Sequence, residues 1–534
     1  MAEAQDSKVL ISSIPLWLAI FPVAVLILLL VINVYFYGAD ASYGPNQIAL
    51  LMAASAAAIA GWFLRVPVAT MIEGMKQSIN SALVAMMILL LIGALTGTWM
   101  ISGIVPAMIY YGLDVLSPEM FLFATAIVCA IVSVVTGSSW STVATVGIAL
   151  LGIGKSMGIN EGYIAGAVIS GAYFGDKISP LSDTTNLAAA MAGTELITHI
   201  RYMLWTTVPS FLIALGIYFA MGYLTEPAEV LIGQGALKEQ IANRFNLSPI
   251  VFLVPAGVLV MVLMKVDALV ALMVGAVAGG VLAICVQPKI VDQIAALPPI
   301  EIVDSAGKPT GETREQSYAA KSYTAFINSM AMSTAIVDAD RVEALKGSLD
   351  ELAADETEAG KEQLAAARAE IAAADLLTGK GMVGMLNTIW LIITAMCFGG
   401  LMEACGLLQR LTQPLVEFAK STVSLVATTA ASCLFVNVTA SDQYLSIVVP
   451  GRMFRETYRD RGLAPENLSR TLEDSGTVTS VLIPWNTCGA AQHAVLGVAV
   501  LTFAPYCFFN LISPLMTIMF AAVGIGIAKL NAKK

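Results

Sequence analysis

Polar and apolar positions alternate along this chain in long blocks rather than with a short period. Apolar stretches of about 17 or more residues recur, each long enough to cross most of roughly 30 Å of hydrocarbon when helical. Among them are Ile14 to Tyr37, Ile48 to Leu64, Tyr202 to Leu224, Leu247 to Met264, Ala268 to Val286, Met382 to Met402 and the stretch ending at Ile527. Each predicts a membrane-spanning helix. With this many spans in one chain, most helices touch other helices, so a polar interior becomes possible.

The blocks are interrupted once for long, over residues 288 to 380, where acidic residues outnumber basic ones and Ala, Glu and Leu dominate after Asp340. This stretch reads as an acidic, water-exposed helical insertion. Val342, Leu345, Leu349 and Leu352 recur at helical spacing, Gly360 breaks the pattern, and Leu364, Ala367 and Ile371 resume it, which predicts two amphipathic helices folded into a hairpin. The insertion separates an N-terminal membrane half, 1 to 287, from a C-terminal half, 381 to 534.

Each half carries the same anomaly. Thr136-Gly-Ser-Ser-Trp-Ser-Thr142 interrupts one apolar helix, followed by Gly175-Asp-Lys-Ile-Ser-Pro-Leu-Ser-Asp-Thr-Thr-Asn186; Asn437-Val-Thr-Ala-Ser-Asp442 interrupts another, followed by Glu473-Asp-Ser-Gly-Thr477 and Pro484-Trp-Asn-Thr487. Aligning Pro180 with Pro484 puts Ser182, Asp183 and Thr184 near Asn486, Thr487 and Cys488, as diverged repeats would. Backbone freed at a helix break cannot face lipid, because each unpaired amide costs several kcal/mol there. The breaks must therefore face protein or trapped water, and repeats with broken helices are how many transporters build a midplane site.

Composition sharpens this picture. With 57% hydrophobic and 12% charged residues, the chain has about half the charge of a soluble domain. A net charge of −10 argues against nucleic acid as a partner, since phosphate binding needs a clustered basic excess. The seven cysteines show no CxxC pair and read as small buried hydrophobes. Ser-His-Asp, Cys-His and HExxH arrangements are missing, so an enzyme is not expected. The apolar run from Ile14 is too long for a cleavable signal and reads as a retained first helix. Arg452, Arg455, Arg459 and Arg461 mark a cytoplasmic loop, and Lys8, Arg65, Lys76, Lys529, Lys533 and Lys534 put both termini on that side of the cell (inner) membrane.

Ionisable side chains inside spans cost a few kcal/mol at minimum and mark ion or proton paths. Asp176, Lys177, Asp183, Asp442, Glu473 and Asp474 cluster at the breaks beside Ser, Thr and Asn oxygens. Mutual neutralisation of Asp176 by Lys177, or of Glu473 by Arg470, is the competing explanation for any one of them. An oxygen-rich set suits a hard cation such as sodium, whereas scarce Cys and His disfavour softer metals. A carboxylate that binds sodium must be deprotonated, so a proton and the cation compete for it. Helix N-termini at the breaks would instead favour an anionic group, and the residues alone leave both uses open. His199 and His493 read as packing or interfacial histidines.

The stretch Gly171-Ala-Tyr-Phe-Gly-Asp-Lys-Ile-Ser-Pro-Leu-Ser-Asp-Thr-Thr-Asn186 closely resembles the signature of the NhaC-type sodium/proton antiporter family, as do Asn437 through Arg452 and Leu472 through Thr487. The similarity spans roughly Gly61 to Gln287 and Gly381 to Pro514; the insertion lies outside it. The resemblance implies the ion-transporter superfamily fold, an all-α polytopic membrane protein with two inverted repeats, broken helices and re-entrant hairpins. It implies a scaffold part that pairs into a homodimer and a moving transport part, with sodium and protons as transported species and no cofactor. Asp176, Ser182, Asp183, Thr184 and Asn186, with Asn437, Thr439, Asp442, Asp474, Asn486 and Thr487, are the metal-ion ligands it implies. Malate/lactate exchangers also resemble this family, so a small carboxylate or an amino acid is the alternative cargo.

Overall fold

A computed structural model describes residues 14–530, apart from 38–40, 42, 116, 225–230, 265, 299, 304–308, 337–338 and much of 354–376. The terminal lysines Lys8, Lys533 and Lys534 used for orientation, and most of the second amphipathic helix expected in the insertion, lie outside these residues. Among the described residues, 8 helices are long and apolar enough to cross a membrane, or up to 10 if each of two sharply bent pairs is one span. The fold is that of an all-α polytopic membrane protein.

Several spans follow the apolar blocks closely: Leu16–Tyr37, Pro45–Phe63, Ala268–Val286 and Val383–Ala404. Two differ. The block from Leu247 divides into a 3-10 turn, Pro249–Phe252, and a helix, Leu253–Leu263, and the chain bends 93° between Lys238–Arg244 and this segment. The block ending at Ile527 stops being helical at Val523, where Gly524 takes a left-handed φ of 76° and ends the helix as a C-terminal glycine does.

The helix Val68–Ile101 has 34 residues, well beyond the roughly 20 a bilayer requires; its first turns carry Glu73, Lys76, Gln77, Asn80 and Ser81, and an apolar run follows from Ala82. It is the spine of one part of the molecule, packing on Val383–Ala404 and Ala268–Val286, while Pro45–Phe63 bridges Leu16–Tyr37 and Val383–Ala404. Gly74 and Gly400 permit a close approach of Val68–Ile101 to Val383–Ala404: a Cβ on Gly400 would lie 2.7 Å from the carbonyl oxygen of Gly74.

The second part contains both repeats, and the shift that takes Pro180 to Pro484 superposes them element by element without a gap. It carries the start of Pro118–Thr136 to that of Thr422–Thr439, the broken segment beginning at Ser139 and ending at Ser156 to Gln443–Asp460, and Asp183–Ala192 to Thr487–Leu496. Backbone details follow: Gly137 and Ser441 share a left-handed φ (67° and 59°), as do Gly193 and Gly497 (82° and 76°). Ser138 and Asp442 each cap the helix that follows, as do Ser182 and Asn486. The repeats interlock reciprocally. Asp183–Ala192 of the first packs on Gln443–Asp460 of the second, and Thr487–Leu496 of the second packs on the π-helical turn Val143–Gly147 of the first.

In the insertion, the helix Ala339–Ala353 falls where the first amphipathic pattern is. Other features there, beginning with the helix Pro288–Ala295, have no counterpart in that pattern. Antiparallel strands form at Ile300–Val303 with Pro309–Arg314 and at Thr334–Ala335 with Thr378–Gly379. The helix Tyr318–Ala331 buries Ser322, Ala325 and Ser329 and packs on Val68–Ile101.

Candidate ion site

Four helix breaks converge. Gly137 to Ser139, Leu181 and Asp183, Asp442 to Tyr444 and Thr487 and Cys488 line one cavity of about 200 Å³, with Asp176 beside them and Ser81, Ala82, Val84, Ala85 and Ile88 of the long helix Val68–Ile101 as its opposite wall. Local chemistry makes each break. Gly137 adopts the left-handed conformation, and a Cβ on it would stand 2.5 Å from the Cβ of Leu181, so the first break can touch the second only through glycine. Ser441 does the same work at φ 59° with a side chain, a conformation unusual outside glycine. Its carbonyl accepts the backbone N–H of Thr487 at 3.0 Å, docking the third break on the fourth.

Three carboxylates meet at the cavity, each held by neutral donors. Ser139 Oγ donates to Asp176 Oδ2 at 2.7 Å, and Asp176 Oδ1 is buried without a partner. Asp183 Oδ1 accepts the Thr184 N–H at 2.9 Å, and its other oxygen accepts the Tyr444 hydroxyl. Asp442 Oδ1 accepts the Leu445 N–H at 2.8 Å as a helix cap. No salt bridge involves these three among the described residues. Asp176 and Asp442 are buried, whereas Asp183 is exposed at the cavity; carboxylates buried without a cationic side chain are costly when charged unless a small cation or a proton joins them. Mutual neutralisation of Asp176 by Lys177 does not occur, because Lys177 pairs with Asp474 instead.

The remaining candidates divide into three groups. Thr487 lines the cavity itself. Ser182, Thr184, Asn186, Asn437 and Asn486 build the breaks. Ser182 Oγ caps Thr185 N at 3.4 Å and lies 3.1 Å from Thr184 Oγ, while Asn186 Nδ2 donates to the carbonyls of Pro180 and Ser182 at 3.1 and 2.7 Å. Asn486 Nδ2 donates to Asn437 Oδ1 at 3.1 Å, and Asn437 Nδ2 donates to the Gly476 carbonyl at 2.7 Å, so one amide ladder ties the breaks of the second repeat together. Thr439 and Asp474 lie off the cavity. Thr439 Oγ returns to its own helix, donating to Phe435 O at 2.8 Å. Asp474 is wholly buried, paired with Lys177 and accepting from Thr206 Oγ at 2.8 Å and Ser513 Oγ at 3.2 Å.

Several cavity residues are outside the candidate set. Ser138 and Ser139 belong to the Thr136–Thr142 polar run, and Gln443 and Tyr444 follow Asp442 directly, so extending each polar cluster by two residues finds them. Gln443 Oε1 accepts from Ser480 Oγ at 3.1 Å and from Cys488 Sγ at 2.5 Å. Ser81 carries no sequence signal, because its role is to face a cavity that only packing creates.

The profile of the Na+/H+ antiporter family matches residues 171–337 and 318–525. The Na(+)/H(+) antiporter NhaC of Alkalihalophilus pseudofirmus is 34% identical over 487 residues, covering 90% of this chain and 91% of that protein. The malate-2H(+)/Na(+)-lactate antiporter of Bacillus subtilis is 29% identical, covering 90% of each chain. The arginine/ornithine antiporter ArcD of Halobacterium salinarum is 30% identical, covering 95% of this chain and 91% of its own.

Proposed function

The chain belongs to the Na+/H+ antiporter family, and from that premise we propose that it exchanges sodium for protons across the cell membrane by alternating access. Asp183 and Asp442 are the principal carboxylates in this reading, Asp176 and the more distant Asp474 tune them, and Ser182, Thr184, Asn186, Asn437, Thr439, Asn486 and Thr487 contribute oxygens or hold the breaks that do. The observation that carries the proposal is the meeting of Asp176, Asp183 and Asp442 on one cavity without a cationic partner. Sodium requires these groups deprotonated, so loading from one side displaces protons, and reprotonation on the other displaces sodium.

Movement is elevator-like in this proposal: the repeat-bearing part slides against the scaffold helix. Three of the five wall residues, Ser81, Ala82 and Ala85, are small, and this supports the reading, since small side chains offer little to climb over; Val84 and Ile88 complete the wall. Everted vesicles with a pH-sensitive dye test the exchange. Sodium added to an established proton gradient should collapse it, and Asp183→Asn should abolish the response while the protein remains folded. An active preparation that ignores sodium and lithium across neutral to alkaline pH refutes antiport.

A second reading, exchange of a small carboxylate or an amino acid, is favoured by the helix N-termini at Asp183 and Thr487, whose partial positive charge aims at the cavity. The names of the malate/lactate and arginine/ornithine relatives agree with it. Malate, lactate or arginine raising the melting temperature of the purified protein only when sodium is present would establish it.

A further inference from the structure

Beside the first-repeat hairpin lies a larger cavity, of about 590 Å³, that the exchange just described does not use. Its inner end is the hairpin break. Thr136 and Ser141 stand on its wall, whereas Gly137 to Trp140 between them line the ion cavity. Thr145, Ala149 and Ile153 carry the wall along the hairpin arm, which stays helical from Ser139 to Ser156. From Ser141 to Ile153 the wall runs for about 18 Å at 1.5 Å per residue. Much of the remaining lining comes from outside the repeats: Trp99 of the helix Val68–Ile101, Ala271 and Leu272 of Ala268–Val286, and Phe252, Ala256 and Leu259.

This wall suits neither a cation nor water. Thr145 Oγ donates to the Ser141 carbonyl at 2.8 Å, Thr136 Oγ lies 3.3 Å from Thr142 Oγ, the Tyr111 hydroxyl donates to the Leu247 carbonyl at 3.0 Å, and Ser141 Oγ is shut in by burial. No charged side chain lines the cavity among the described residues. A buried water needs two to four polar partners, which such a wall does not supply.

The surroundings select hydrocarbon instead. Leu259 lines the cavity and is 41% exposed; Leu253 and Val260 on the same helix are exposed, as is Ile131 next to the lining residue Val132 on the span Pro118–Thr136. The lining thus continues into apolar surface at membrane depth. Its length fits as well, since one leaflet is half of roughly 30 Å of hydrocarbon. At the outer end a Cβ on Gly112 would lie 2.5 Å from Ile153 Cδ1, the neighbouring Tyr111 is exposed, and Lys238 Nζ stands 4.6 Å from the centre of the Tyr110 ring. Tyrosine and lysine together mark the depth of lipid headgroups.

We propose that this cavity is a lipid site: one acyl chain of a bilayer phospholipid enters along the first-repeat hairpin, reaches the break beside the ion cavity, and leaves its headgroup at Tyr110, Tyr111 and Lys238. The site itself needs only the membrane fold. Its consequence for exchange rests on the elevator-like reading: one wall belongs to the repeat-bearing part and the other to Val68–Ile101 and Ala268–Val286, so a fluid chain keeps the seam filled while the two walls pass. Without it the same movement would open a void, which costs packing energy.

The probe is phosphatidylcholine with bromine atoms midway along its acyl chains, which quench tryptophan on contact. Trp99 is 3% exposed, so lipid on the outer surface does not reach it; only a chain inside the cavity does. In liposomes of brominated and of ordinary lipid, the emission that the unaltered protein has and Trp99→Phe lacks should be quenched by the brominated chains, and equal emission in the two lipids overturns the site. Ala256→Phe fills the cavity from an exposed position and should protect Trp99, whereas Val260→Phe, exposed on the same helix and off the wall, should not; quenching that persists in Ala256→Phe overturns the site equally. Should Trp99→Phe not fold, Phe252→Trp places a second reporter on the wall, and added emission that brominated lipid leaves unchanged refutes the proposal. Sodium-driven proton flux then reads the consequence. Ala256→Phe should lower the maximal rate at an unchanged half-saturating sodium concentration, and an unaltered rate in a variant that does protect Trp99 leaves the lipid site standing and defeats the sliding movement.

Discussion

Lys177 and Asp474 form a fully buried ion pair joining the first repeat to the second, with both side chains 0% exposed. Replacing Asp474 by Asn keeps the shape and the contacts of Thr206 and Ser513 but leaves an ammonium in the interior without a counter-charge. Loss of one partner from a buried pair costs about 3–5 kcal/mol, a shift of roughly a hundredfold or more in the folding equilibrium. Lys177→Met strands the carboxylate, which retains two hydroxyl donors, so its cost falls toward the lower end of that range. The double variant Lys177→Met with Asp474→Asn removes both charges and should be far closer to the unaltered protein than either single change. Thermal unfolding in detergent micelles, read for all four proteins, measures the coupling. Single-variant losses that add to the double-variant loss within about 0.5 kcal/mol would show that the two groups act independently, and would refute the claim that this pair locks the repeats together.

Gly137→Ala puts a side chain on a left-handed residue and 2.5 Å from Leu181 Cβ; the conformational part alone costs about 1–2 kcal/mol, and transport should fall more than stability, measured by vesicle flux beside thermal melts. Asn486→Ala removes a helix cap and one end of the amide ladder to Asn437, with an expected stability loss of about 0.5–2 kcal/mol, whereas Asn486→Ser should recover the cap but not the ladder. The apparent affinity for sodium should weaken as pH falls through the carboxylate's pKa, because the proton-bound carboxylate excludes the cation; where one proton competes, the sodium concentration for half-maximal flux rises about tenfold per pH unit once the pH is below that pKa, and a value that stays constant from alkaline to acidic pH would contradict competition. Replacing everything between Ile336 and Leu377 by an Asn-Gly turn should preserve flux, because Ala335 and Thr378 are already paired strand neighbours; lost activity in the folded variant would give the helix Ala339–Ala353 a role in transport.

Much of this molecule was legible in its residues. Spans follow from unbroken apolar blocks because lipid tolerates no unpaired backbone, and the breaks follow from Gly, Ser, Thr, Asn and Asp clusters inside those blocks because such residues compete with the helix for its own hydrogen bonds. Aligning Pro180 with Pro484 was enough to register the two repeats, since a repeat without gaps keeps one offset from Pro118 to Leu196. The membrane location and the carboxylates at the breaks came from the same pattern.

What the residues could not give is which side chains share a space. Asp176 and Lys177 are adjacent in sequence yet serve different places: successive helical residues point about 100° apart, so one meets the cavity and the other meets Asp474, nearly three hundred residues away. Asp442 and Asp474 look alike as acids at breaks, and only the packing of the second repeat sends the first to the cavity and the second into an ion pair. Ser81 joins the site because the helix Val68–Ile101 passes it, and Tyr318–Ala331, written in the language of a water-exposed insertion, is packed on that same helix. Local composition decided where the helices stop; the docking of one repeat into the other decided which of the freed groups face one another.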